Sequence, residues 1–225
     1  MNEFCGFLHL ACAHQSGLGI PRKFLAEAAF RPKFRCMGLR ATYKPYISPL
    51  EYLEGELASE IRHEYAGGQV FAMAGASAQH EEIAMSLATR LYQHLEDKPC
   101  RAYKSDLKLR VQVNQMDTFY YPDIMVSCDP KDNHRYYREN PTVLIEILSE
   151  DEKRDLVDKF LIYSRIEGLE EYIVLSQDPQ RPKAYIHRRA NNWQQEVIVE
   201  GNLEIPSIQF STPLQHLYRG AAELG

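Results

Sequence analysis

Nowhere in the 225 residues is there a run of about eighteen uncharged apolar residues, which excludes a membrane-spanning helix. An excess of positive charge is missing too. Lys plus Arg number 26 against 31 Asp plus Glu, for a formal net charge of −5. That balance argues against a histone-like binder driven by cations, yet leaves room for an enzyme with one local basic groove. The five cysteines, Cys5, Cys12, Cys36, Cys100 and Cys128, show no CxxC or CxxH spacing, so neither a zinc site nor a disulfide framework is readable. They are expected to be reduced thiols in a cytoplasmic protein. Repeats and low-complexity tracts are absent, and the apolar residues 4–12 lack the basic segment of a signal peptide. What remains is ordinary for a globular chain: 44% hydrophobic and 25% charged residues, at a length that suits one domain.

Residues 1–40 differ in texture from the rest. Their acids are Glu3 and Glu27 alone, while Arg22, Lys23, Arg31, Lys33, Arg35 and Arg40 recur without helical or strand period. We expect a poorly ordered amino-terminal extension, with Met37 as an alternative start, followed by a single domain over 41–225. Organised sequence begins at Ser48-Pro49-Leu50-Glu51, a capping box with Pro at the first helical position. A short helix to about Gly55 should follow. Next comes a hairpin from Arg62 to Met73 that turns at Gly67-Gly68. From Ala78 to Leu95 the residues Ile83, Leu87, Leu91 and Leu95 recur every four positions, with Met85 and Tyr92 alongside, which predicts an amphipathic helix.

Alternation of Leu107, Leu109, Val111 and Val113 with Lys108, Arg110 and Gln112 predicts a half-buried strand with a basic face. A second strand is expected over Phe119–Val126, carrying Pro122 near its start or at a bulge. After a polar loop at 129–141, Thr142–Leu148 reads as a central strand buried on both faces. A helix through Leu156, Val157, Phe160 and Tyr163 follows. Strands near 171–176, 184–188, 194–200 and 206–210 and a last helix opened by Thr212-Pro213 complete the reading. That order predicts an α/β fold, a mixed sheet flanked by helices.

Glu146 is the anomaly. A carboxylate inside an otherwise apolar strand costs several kcal/mol unless it is paired, hydrogen-bonded or bound to a metal. Asp123 follows Pro122 toward the end of the preceding predicted strand, and if the two strands are neighbours the carboxylates can converge on one hard cation such as Mg²⁺. Equally, Glu146 could be ion-paired with a Lys or Arg and Asp123 could be a turn residue.

Tyr121-Pro122-Asp123-Ile124-Met125-Val126, followed about twenty residues later by Val143-Leu144-Ile145-Glu146-Ile147-Leu148-Ser149, resembles the PD-(D/E)XK nuclease superfamily. Specifically it is similar to the Uma-two family of restriction-endonuclease-like proteins. Glu64-Tyr65 ahead of Gly67-Gly68-Gln69-Val70, His80, Ser105-Asp106-Leu107, and Arg154-Asp155 with Lys159 and Tyr163 belong to the same ordered pattern, which runs from about Ile47 to Tyr218. The resemblance implies a restriction-endonuclease-like αβββαβ core in which Asp123 and Glu146 hold Mg²⁺, with Mn²⁺ as a possible substitute. It implies Glu64 as a further, water-mediated ligand; a solvated carboxylate beside a turn is the plain alternative. The lysine normally two residues after the Glu is replaced here by Leu148. Lys159, in the following helix, is the candidate catalytic replacement; alternatively it pairs with Asp155 in a solvated contact one turn away.

Smaller expectations attach to other residues. His80 reads more readily as structural than as a catalytic base. Asp106 stands either near the metal or in a turn. Lys104, Lys108, Arg110, Arg135, Arg138, Lys153, Arg154 and Arg165 could line a phosphate groove, and Tyr120, Tyr121, Tyr136 and Tyr137 could stack on bases. The expected function is a Mg²⁺-dependent endonuclease on nucleic acid, most readily double-stranded DNA, working as a homodimer away from membranes. The rival is a catalytically silent nuclease-fold domain that binds nucleic acid or a protein partner.

Overall fold

The computed structural model describes residues 45–149 and 151–224. The expected extension over 1–40, the alternative start at Met37, and Cys5, Cys12 and Cys36 lie outside them. Ser48 opens α1 (Pro49–Ala58) with both halves of the capping box in place: its side chain accepts from the Glu51 N–H, and Glu51 accepts from the Ser48 N–H at 2.8 Å. β1 (His63–Ala66) and β2 (Gln69–Ala72) form the expected hairpin, with Gly67 and Gly68 both at positive φ in the turn, where glycine carries no steric penalty. In α2 (Ala78–His94), Ile83, Leu87 and Leu91 are fully buried, whereas Met85 and Tyr92 face outward.

Next in order come β3 (Arg101–Lys104), β4 (Lys108–Val113), β5 (Met116–Tyr120), β6 (Ile124–Ser127), β7 (Tyr137–Arg138) and β8 (Val143–Ile147). α3 (Lys159–Tyr163) follows a turn of π-helix over Arg154–Asp158. The remaining elements are β9 (Glu171–Leu175), β10 (Ala184–Arg188), β11 (Gln195–Ile198), β12 (Asn202–Ile205), β13 (Phe210–Pro213) and α4 (Arg219–Ala222). Among the described residues these make a five-stranded sheet, β2-β1-β5-β4-β7, a six-stranded sheet, β11-β10-β9-β8-β6-β3, and the β12-β13 pair. The six-stranded sheet is mixed, because β8 and β9 run parallel while β6 and β8 run antiparallel. β8 is buried along its whole length, as its β-branched, nearly continuous apolar run requires. One face of this sheet packs on α2 and the carboxy-terminal segments, and the other on α3 and β4. No helix among the described residues is long and apolar enough to cross a membrane.

Four expectations are corrected. Phe119–Val126 is not one strand: β5 and β6 belong to different sheets, broken at Tyr121-Pro122-Asp123, where Pro122 has no N–H to give a ladder. The strand expected near 206–210 is a 3₁₀ turn between β12 and β13, closed by Gln209 in the left-handed region (φ 53°). Thr212-Pro213 ends β13 instead of opening a helix. Finally, Cys100 and Cys128 are joined in a disulfide, not reduced thiols. The cause is register. β3, which periodicity did not reveal, pairs with β6 so that Arg101 faces Ser127, and the next opposed pair is Cys100 with Cys128.

Candidate active site

β6 and β8 are neighbours, with Ile124 opposite Ile145. One residue further along that register sets Asp123 across from Glu146, at the edge of a cavity of about 600 Å³ lined also by Glu64, His80, Arg154, Asp155 and Lys159. The four residues singled out as catalytic or metal-binding, Asp123, Glu146, Lys159 and Glu64, therefore meet in one place. The cavity opens beside the carboxyl end of β8, where ligands commonly bind in parallel α/β sheets.

Glu146 is almost wholly enclosed, at 2% exposure. Its Oε1 lies 3.0 Å from Lys159 Nζ and accepts from the Tyr163 hydroxyl at 3.1 Å. Burial pushes its carboxyl up to about 7; Lys159 pulls the other way, and the nearby charges of Asp123 and Asp155 add to the rise. Lys159 Nζ lies also 3.1 Å from Asp155 Oδ1. Burial alone would lower the lysine, but Glu146, Asp155 and Asp123 outweigh it and hold the ammonium above its usual value. The Asp155 contact foreseen as a solvated alternative is real, but it is buried and coexists with the Glu146 contact.

Asp155 was not foreseen as part of the site. It stands in a polar run that reads as solvated, yet it is 2% exposed. The π-turn accounts for this: the Lys159 N–H donates to the Arg154 carbonyl five residues back, widening the helix where Asp155 turns inward. Asp155 Oδ2 accepts from the Ser149 N–H at 2.8 Å and from the Ser149 hydroxyl at 2.6 Å, so it pins the chain leaving β8. Leu148 packs in the apolar cluster with Tyr163 and Tyr172, and the cation comes from the helix instead.

Asp123 Oδ2 accepts from the Ile147 N–H at 2.7 Å and lies 3.1 Å from His80 Nε2. Burial alone would lower the imidazole, but its hydrogen bond to Asp123 and the Asp123 and Glu81 charges hold it above the usual histidine value. His80 is thus part of the site, set there by Ser77, whose side chain caps α2 by accepting from the His80 N–H. Glu64 is buried and ion-paired with Arg154. Asp106 is not brought in; it is exposed on the rim, 3.0 Å from Arg62.

Several expected groove cations have protein partners. Lys104 binds Glu81 at 2.6 Å, and Arg110 binds Asp117 at 2.9 Å and Glu139 at 2.7 Å. Arg138 donates to the Tyr103 hydroxyl at 2.8 Å. Lys108 is buried over the Tyr121 ring, and burial lowers its pKa. Arg135, stacked over Tyr136, and Arg165 face solvent. Among the tyrosines, Tyr120 packs edge-on against Tyr163 and Tyr137 against Phe119. Among the described residues no three His, Cys, Asp or Glu side chains close into a metal cage.

The family model described as "Putative restriction endonuclease" matches residues 49–215. The chain is 32% identical over 181 residues to the uncharacterized protein slr1290 of Synechocystis, spanning 79% of this chain and 94% of that protein. To the uncharacterized protein sll1609 of the same organism it is 29% identical over 163 residues, 71% of this chain and 91% of that one. Among solved structures, a "putative nuclease belonging to DUF820" from Anabaena variabilis superposes with a TM-score of 0.57 at 18% identity, over 71% of this chain and 91% of that one. At that identity the likeness speaks for the fold alone.

Proposed function

The chain belongs to the Uma2 (Uma-two) family of restriction-endonuclease-like proteins, and we propose that it is a Mg²⁺-dependent endonuclease that hydrolyses phosphodiester bonds of double-stranded DNA. The observation that carries this reading is Glu146, a carboxylate buried in the central strand with Lys159 held against it, across the register from Asp123.

The donor set suits a hard divalent ion. Hydrogen bonds and ion pairs engage one oxygen each of Asp123, Glu146 and Glu64, and among the described residues Oδ1 of Asp123, Oε2 of Glu146 and Oε1 of Glu64 have no such partner. Four carboxylates against Lys159 and Arg154 leave an excess of negative charge, the same excess that raises Glu146. Mg²⁺ characteristically takes one or two carboxylates together with water and phosphate oxygens, so Asp123 and Glu146 would hold it and Glu64 would support it through water. The ion would supply Lewis acidity toward a phosphate oxygen and the attacking water.

The chain's own contribution follows from its charges. Lys159 is kept protonated by its two carboxylates, so at neutral pH it offsets charge on the scissile phosphate and orients water by donating a hydrogen bond; it does not take up a proton. Asp155 and Tyr163 fix Lys159 and Glu146 in place. Since one such site cuts one strand, cleavage of both strands calls for a two-fold homodimer, which light scattering would reveal as twice the monomer mass.

Calorimetric titration of Mg²⁺ or Mn²⁺ into wild type and an Asp123→Asn/Glu146→Gln variant, beside a plasmid cleavage assay, tests the proposal. Metal binding and nicking by wild type alone support it. The second reading, a silent domain that holds nucleic acid or a partner, is favoured by the lack of a closed metal cage. Absent binding heat with an intact plasmid would establish that reading instead.

A further inference from the structure

A second cavity, of about 550 Å³, adjoins the acidic one; Ser149 and Gln177 line both. It lies at the carboxyl ends of β8 and β9 and against the loop that leads from β9 to β10. Its charges differ from those of its neighbour. Arg181 and Asp178 neutralise one another at 2.8 Å. That leaves Lys183, whose ammonium makes no hydrogen bond or ion pair among the described residues, although its backbone N–H is tied to Ser176 Oγ at 2.9 Å. The side-chain amides of Gln79 and Gln177 are likewise without hydrogen bonds among the described residues. Three uncommitted donor groups thus border one cavity next to the carboxylates, while Lys104, Arg110 and Arg154 are engaged with acids.

We infer that this second cavity is a phosphate subsite, in which Lys183, Gln79 and Gln177 receive the backbone phosphate of the DNA strand next to the scissile one. The inference rests on the nuclease reading. The acidic cavity repels a polyanion except where a cation intervenes, so a strand needs purchase beside it, and a lysine on a loop anchored to two strands supplies that as a point charge. The contact is to backbone and carries no base preference.

Anisotropy of a short labelled DNA duplex with full-length protein in Ca²⁺, over a range of salt, tests it. Lys183→Ala should bind about threefold to tenfold more weakly, alike on unrelated sequences, with a salt slope shallower by about one. Lys183→Glu should lose more, and both should keep wild-type Mn²⁺ binding and melting temperature. Lys131→Ala, on the exposed loop before β7, is the control and should match wild type. If wild type binds DNA and the two Lys183 variants bind with its affinity and slope, the subsite is wrong while the nuclease reading stands. If wild type itself binds no DNA, both fall.

Discussion

His80 Nε2 lies 3.1 Å from the Asp123 oxygen that also receives the Ile147 N–H at 2.7 Å. Helix α2 and strand β8 therefore grip one oxygen of the same carboxylate and leave the other facing the cavity. A ligand oriented by outer partners binds metal about tenfold or more better than a free one. His80→Ala should weaken Mn²⁺ binding by about that factor in calorimetry. His80→Gln, whose amide can donate from nearly the same place, should recover most of it. Equal affinities for all three proteins would show that Asp123 needs no such support.

In metal-free protein Glu146 keeps its proton up to about 7, against an ordinary 4.5. Between those values the folded state binds a proton that the unfolded chain does not, so stability falls as pH rises through the window and levels off above it. His80 acts with the same sign: its contribution is complete below the ordinary 6.5 and is lost as pH climbs through its raised folded value. In urea titrations with chelator present, Glu146→Gln should gain on wild type as pH goes from about 5 to about 8, because the amide never becomes a buried charge. A difference that stays flat across that range would mean Glu146 titrates normally.

The Cys100–Cys128 bond closes a loop with a sequence separation of 28 residues across the β3–β6 pair. Loop-closure entropy assigns such a crosslink about 3 to 4 kcal/mol. Cys100→Ser/Cys128→Ser should therefore lower the urea midpoint under non-reducing conditions, and reductant should bring wild type to the same value. Alkylation and mass measurement before and after reduction would count the thiols released. Identical midpoints with and without reductant would remove the crosslink from the account of stability.

The capping box at Ser48, the glycine turn, the four-residue period of α2 and the apolar run of β8 were all legible because each is a local rule satisfied by neighbouring residues. Glu146 was legible for the opposite reason, as a residue that breaks its strand's rule. The rest depends on pairings between distant segments. A run as uniformly apolar and aromatic as Phe119–Val126 carries no mark of which sheet each half joins, and the disulfide exists because β3 and β6 align two cysteines. Asp155 looks like any acid in Ser149–Asp155 until the π-turn rotates it inward, and His80 looks like a helix-opening polar residue until α2 is laid over β6.

Lys159 answers two buried carboxylates at once, at 3.0 Å from Glu146 and 3.1 Å from Asp155, so its removal strands both. Breaking a buried pair in this way costs about 3 to 5 kcal/mol, less whatever Glu146 recovers by taking up a proton. Lys159→Met should therefore be markedly less stable than wild type at neutral pH. Adding Glu146→Gln should restore part of the loss, because one of the stranded charges is then gone. The coupling in this cycle should reach about 0.5 to 3 kcal/mol, as expected for groups in contact. Additivity within about 0.5 kcal/mol would mean that the two side chains do not share their energy. Plasmid nicking separates structure from chemistry: Lys159→Arg keeps a positive charge but not the compact ammonium geometry. It should remain folded yet cut far more slowly, whereas a lysine that served packing alone would tolerate the exchange in both assays.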